Sequence, residues 1–251
     1  MTTTRLLVLQ PGEGDPPGRL GDWLADAGAD LHLVRPGIDG LPDDLKQYQG
    51  VVCLGGGMSA WDDDKHPWLA DVRALLAGCV RDHTPLLAIC LGAQLLAAAT
   101  GGRVEKGAEG PEAGVLLVAK RDLGWSDPLF AEVPMTPDVV QFHSDAITLL
   151  PPGAELLAAS PKYPNQAFRL GGHAYAVQFH IETTPEMVLD WARSHPDTAA
   201  LARPGTFTEE ALAEAHERLE ETWRPFAERF LALVRGELEP AVTSARRLPV
   251  V

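Results

Sequence analysis

PLLAICLGAQLLAAATGG, Pro85 to Gly102, decides how the chain folds: an apolar, strand-like run ends in Cys90 and continues directly as an Ala/Leu-rich helix. The residues two before and two after the cysteine, Ala88 and Gly92, are both small. A tight strand-to-helix turn requires this if the side chain between them is to project from its apex, so the stretch predicts a nucleophile elbow. Cys90 then sits at a helix N-terminus, where the helix dipole and free backbone N–H groups favour thiolate over thiol. The competing reading is a buried, small apolar residue, the commoner fate of a cysteine. This stretch alone leaves both open.

A second stretch breaks the tie. AYAVQFHIE, Ala174 to Glu182, reads as a strand that ends in His180, Ile181 and Glu182. Side chains alternate along a strand, so His180 and Glu182 are predicted on one face. Glu182 can then fix the imidazole tautomer and leave the other ring nitrogen for Cys90. Singly, His180 reads equally as a structural histidine and Glu182 as the first-turn acid of a helix starting near Thr183 to Pro185. Jointly with the cysteine elbow they point to acyl transfer through a thioester.

With these residues the chain resembles the class I glutamine amidotransferases, in order from about Arg5 to about Trp191, most nearly as a stand-alone member like the glutaminase part of GMP synthase. The resemblance is carried by GGGMS (Gly55 to Ser59), AICLGAQ (Ala88 to Gln94), FHSD (Phe142 to Asp145), NQAF (Asn165 to Phe168) and AVQFHIE (Ala176 to Glu182). It implies a catalytic triad of Cys90, His180 and Glu182 that hydrolyses the γ-amide of glutamine, or of a γ-glutamyl compound, through a γ-glutamyl thioester. It also implies an oxyanion hole from the backbone N–H groups of Gly57 and Leu91, substrate contacts by Gln94, and a His143, Ser144, Asp145 segment beside the substrate α-carboxylate. No cofactor and no metal are called for. The sequence departs from the family at Ile89, where glycine is usual, and at Ile181, where proline is usual; neither change removes a functional side chain.

The residues themselves bear on these roles. Gln94 lies one helical turn after Cys90 and so shares its face, and backbone N–H groups of a glycine-rich turn suit a developing oxyanion. The glycines of GGGMS serve a tight turn equally well, Gln94 a solvent-facing helix position, Asp145 a loop cap and His143 an internal hydrogen bond. In WDDDKHPW, Asp62, Asp63 and Asp64 are consecutive and His66 has no second histidine at ligand spacing, so a solvated loop or helix start is expected there. The turn from Asp64 to Trp68 is expected to shape the mouth of the pocket.

The alternation of Leu20 to Ala29, LHLVRP and YQGVVCLGGG argues for a parallel sheet with ligands at the carboxyl ends of its strands. Gly55, Gly56, Gly57, Cys90 and His180 all fall at such ends. The expected architecture is α/β: a three-layer, open, mostly parallel sheet flanked by helices, flavodoxin-like, with a nucleophile elbow. Gly114 to Ala159 reads as a more antiparallel part of the sheet, and Thr208 to Arg235 as one or two amphipathic helices interrupted by Pro225. Residues 1–195 are assigned to the amidotransferase domain and residues 196–251 to a C-terminal helical extension and tail.

At 251 residues the chain suffices for one α/β domain and leaves no room for a full synthetase domain of the usual size. A net charge of −14 repels phosphates and argues against nucleic acid, and no apolar run is long enough to span a membrane. MTTTRLLVLQ reads as a first strand rather than a leader, which places the protein in the cytoplasm. Cys53 and Cys79 sit in apolar segments and read as packing residues.

Three functions follow. In the first, ammonia passes to a separate ATP-dependent synthetase subunit, since no SGGxDS-type signature is present. In the second, the chain is a free-standing γ-glutamyl amide hydrolase. In the third, it is a non-catalytic relative that binds a ligand or partner.

Overall fold

The computed structural model describes residues 4–242. Strand β1 (Thr4–Leu9) shows why the molecule is layered: Leu6 and Val8 pack into one hydrophobic cluster, Leu7 and Leu9 into another, and all four are buried. A strand covered on both faces is the mark of a parallel α/β sheet. The first cluster joins β1 to helix α1 (Gly18–Asp26), to α5 (Pro185–Ser194) and to α7 (Glu209–Val234). The second joins it to α3 (Trp68–Arg81) and α4 (Leu91–Ala99).

The main sheet has eight strands in the order β2-β1-β3-β4-β12-β11-β10-β7. Strands β2 (Ala29–Val34), β1, β3 (Gly50–Cys53), β4 (Leu86–Ile89) and β12 (Ala174–Val177) run parallel. Strands β11 (Ala167–Leu170), β10 (Glu155–Ala159) and β7 (Ala119–Lys120) extend it antiparallel. Strand β4, which ends at Cys90, lies between β3, which ends at the glycine triplet, and β12, which leads to His180. Three strand ends therefore meet at one place.

The segment Gly114 to Ala159 divides differently from its sequence reading. Only β7 and β10 join the main sheet. GVLL and DVVQFH pair with each other within β6 (Glu112–Leu117) and β8 (Asp138–His143), and β5 (Arg103–Lys106) pairs with β9 (Asp145–Leu149). Strand β8 is tied to the carboxyl end of the sheet through a bridge from Val140 to His180, so the FHSD segment overhangs the site.

Thr208 to Arg235 forms a single helix, α7, with Pro225 inside it. Proline removes one backbone hydrogen bond and crowds the preceding turn, at a cost of roughly 3 kcal/mol in an exposed helix. Here Leu212, Leu219, Trp223, Phe226 and Phe230 form a continuous buried stripe on both sides of it, and α7 packs on α1, α5 and β8. The described part of the C-terminal tail reaches Val242; the remainder of that tail, with Arg246 and Arg247, lies outside the described residues. Among the described residues no helix is long and apolar enough to cross a membrane.

Candidate active site

Cys90 has φ 50° and ψ −107°, a left-handed conformation that side chains other than glycine rarely adopt. Its N–H donates to the Val177 carbonyl at 2.8 Å, and its own carbonyl accepts the Gln94 N–H at 3.0 Å. The turn is thus fastened to β12 behind it and to the first turn of α4 ahead. Gly92 explains the need for small residues: a Cβ there would lie 2.3 Å from the Cys53 carbonyl oxygen. That contact is backbone against backbone, so nothing can swing away. We predict that Gly92→Ala lowers unfolding stability by about 2–3 kcal/mol through forced displacement of α4 from β3. Urea unfolding measures it, and an unchanged midpoint would refute the account.

His180 and Cys90 line the same cavity, and the two interact electrostatically. His180 Nδ1 lies 2.6 Å from Glu182 Oε1, and both side chains are buried. The route to this contact differs from a regular strand. Strand β12 ends at Val177, and the backbone of His180 is held by its bridge to Val140, with His180 N–H donating to the Val140 carbonyl at 2.8 Å. Glu182 is fixed separately: its Oε2 accepts the Ile181 N–H at 2.9 Å. A proline at position 181 could not donate that bond, so the departure at Ile181 adds a restraint on the carboxylate. The backbone of Glu182 is seated as well, because its carbonyl accepts the Arg19 N–H at 2.8 Å. Gly18 makes this approach possible; a Cβ there would be 2.2 Å from the same oxygen.

Burial alone would depress the imidazolium of His180, but the charges of Glu182 and Cys90 outweigh it and hold the group well above its ordinary value. The other two cysteines behave oppositely. Burial pushes both thiols up, Cys79 to about 12, which keeps them protonated packing residues.

A cavity of about 430 Å³ opens over these groups, within the ordinary range for small-molecule sites, about 300–1,000 Å³. Gly57 and Leu91 border the elbow. Among the described residues neither N–H donates a hydrogen bond, and a Cβ on Gly57 would meet nothing within 4 Å. Gln94, His143, Ser144 and Asp145 all line the cavity. Gln94 Nε2 donates to the Asp145 carbonyl at 3.1 Å and to Gln178 Oε1 at 3.2 Å, leaving its own oxygen with no hydrogen-bond partner among the described residues. Both ring nitrogens of His143 face acceptors: Nδ1 the Asp145 carbonyl at 2.8 Å and Nε2 the Glu112 carboxylate at 3.1 Å. Burial would raise the Glu112 carboxyl, yet hydrogen bonds from His143, Ser160 and Gln166 hold it below the usual carboxylate range. The turn from Asp64 to Trp68 does not line the cavity. It is drawn away by Asp62, whose side chain accepts the Ser59 N–H and whose carbonyl accepts those of Lys65 and His66.

Several residues at the site carried no assignment from sequence. Gln178 Nε2 lies 3.8 Å from the Cys90 sulfur; it shares the alternation with His180 and Glu182, which was a signal for it. Trp191 packs against His180 with ring centroids 4.6 Å apart and the planes tilted by 54°. Lys106 lines the same end of the cavity as Asp145, its register partner across β5 and β9. Asp15 lines the cavity as well, over Gly55 beside His180.

Residues 22–188 match the family described as glutamine amidotransferase class-I. The chain is 35% identical over 196 residues to the GMP synthase [glutamine-hydrolyzing] of Thermus thermophilus, covering 74% of this chain but 36% of that protein. It therefore spans about a third of the length of that synthase. It is 26% identical to the gamma-glutamyl peptidase 4 of Arabidopsis thaliana, covering 83% of this chain and 84% of that one. The crystal structure of a glutamine amidotransferase from Thermotoga maritima superposes with a TM-score of 0.81 at 28% identity, covering 93% of this chain and 99% of that one.

Proposed function

The chain belongs to the glutamine amidotransferase class-I family, and from that premise we propose that it hydrolyses the γ-amide of glutamine or of a γ-glutamyl compound through a thioester on Cys90. The observation that carries this is the strained elbow of Cys90 facing a buried His180 whose Nδ1 is 2.6 Å from Glu182. The Cys90 sulfur attacks the amide carbon as a thiolate, its proton held on His180. The oxyanion is received by the Gly57 and Leu91 N–H groups. His180 then protonates the departing nitrogen, the C–N bond breaks, and water, deprotonated by His180, cleaves the thioester to give glutamate. At the far end of the substrate, Asp145 and the Gln94 oxygen suit the α-ammonium group, and Lys106 suits the α-carboxylate. His143, with both ring nitrogens engaged, supports the Ser144–Asp145 turn.

Residues 1–195 form the catalytic unit in this reading, and residues 196–251 an extension of it. A reduced nucleophile fits a cytoplasmic protein. The ammonia goes to a separate ATP-dependent synthetase, as the likeness to part of GMP synthase suggests. A free-standing γ-glutamyl amide hydrolase is favoured instead by one observation, the likeness to gamma-glutamyl peptidase 4 over 84% of its length.

The test is release of ammonia and glutamate from glutamine by the purified chain, beside labelling of Cys90 with a glutamine-like diazoketone. Cys90-dependent release supports an autonomous amidase, and labelling without release supports a site that waits for its synthetase. Neither release nor labelling would reject the thiol mechanism.

A further inference from the structure

The mechanism above does not use Asp15. Its loop is firmly built: Gln10 Nε2 donates to the Gly12 and Glu13 carbonyls at 3.0 Å each, and Gly12 N–H donates to Gly55 at 3.2 Å. The indole of Trp191 donates to the Gly14 carbonyl at 3.0 Å. This scaffold turns the carboxylate over Gly55 toward His180. A Cβ on Gly55 would lie 3.0 Å from Asp15 Oδ1 and 3.1 Å from His180 Cε1. The Asp15 carboxylate is half-buried and accepts no side-chain or backbone hydrogen bond from any described residue, so its oxygens are open to the cavity. Burial raises its carboxyl, His180 and His195 draw it down, and Glu182 pushes it up.

Chemistry fixes which part of the substrate meets this group. His180 delivers the proton to the leaving nitrogen, so substituents on that nitrogen lie on the His180 side of the cavity. The residues there are Asp15, the Trp191 indole packed against His180, Phe142, whose ring centroid is 5.8 Å from that of Trp191, and His195, whose ring centroid lies 6.0 Å from that of Phe142. A carboxylate beside an indole face suits an ammonium group by charge and by cation–π attraction, and the aromatic rings suit a short methylene chain.

We propose that Asp15 selects the amine half of the substrate, so that the enzyme acts on γ-glutamyl amides whose nitrogen carries a cationic chain, as in the monoamide of a diamine. The inference rests on the free-standing γ-glutamyl amide hydrolase reading of the thiol amidase, in which the amine itself is released. Water and the amide yield glutamate and the free diamine, with no other reactant.

The experiment compares kcat/KM for the γ-glutamyl amides of 1,4-diaminobutane, butylamine and 4-aminobutanoate, which differ only in end-group charge. Wild type is expected to prefer the diamine amide over the butylamide by about tenfold and to disfavour the 4-aminobutanoate amide. Asp15→Asn is expected to bring the ratio of diamine amide to butylamide within about twofold of one; effects common to all substrates cancel in this ratio. A wild-type ratio near one overturns the proposal, as does an unchanged ratio in Asp15→Asn with all rates lowered alike, which would mean that Asp15 acts on the charge of His180. Absence of hydrolysis of the diamine amide overturns it too. Diazoketone labelling of Cys90 then shows whether the thiol-amidase reading falls with it.

Discussion

Cys90→Ala is expected to leave a folded protein whose amide hydrolysis falls by about 10⁵-fold, since the thiol is the group that carries the acyl chain. The thiol is nearly buried, and its neighbours are His180 and the Gln178 amide at 3.8 Å. Removing one sulfur there leaves the hydrogen bonds of the elbow intact, because these are made by the backbone of residue 90. Glutamate release by the alanine variant at more than about a hundredth of the wild-type rate would reject Cys90 as nucleophile. Cys90→Gly offers a control on the same backbone. At φ 50° glycine pays no Cβ penalty, so it should be more stable than the alanine variant by about 1 kcal/mol. Equal unfolding midpoints would mean that the elbow stores no strain.

The residues at the strand ends were legible in sequence because each lies where a local pattern stops. Cys90 stands between an apolar run and an Ala/Leu helix, the glycine triplet closes another apolar run, and His180 with Glu182 ends a third. What brings them together is the order β3-β4-β12, and a parallel sheet supplies that without any side chain specifying it. Asp15 was not legible. It belongs to a loop of Gly and Pro whose course is set by contacts with Gly55 and with Trp191, 176 positions further on. Glu112 was hidden for a similar reason, since its partners His143, Ser160 and Gln166 come from three other segments. The reach of α7 through Pro225 shows burial overriding a local breaker: the apolar stripe continues on both sides, and packing outweighs one lost hydrogen bond.

Glu182→Gln is expected to cost about 10³- to 10⁴-fold in kcat, less than loss of the nucleophile but far more than a lost orienting contact of ordinary strength. The reason lies in the two bonds that the carboxylate makes. Oε2 accepts the Ile181 N–H and Oε1 faces His180 Nδ1 at 2.6 Å. An amide has one acceptor, and the Ile181 N–H is a donor that must be met. Its NH₂ then turns to Nδ1, forcing the proton to the other ring nitrogen, where it faces Cys90 and blocks acceptance of the thiol proton. The charge on His180 is lost as well. Without the Glu182 carboxylate, burial prevails and the imidazolium falls from its raised position. The sign of the stability effect follows. A histidine whose value is raised by folding contributes stability that is present below its unfolded value, about 6.5, and is lost as pH rises through the folded one. The unfolding midpoints of wild type and Glu182→Gln should therefore differ most near pH 6 and converge on the alkaline side. A gap that stays constant with pH would show that Glu182 positions the ring without sustaining its charge, and the rate loss would then belong to the tautomer alone.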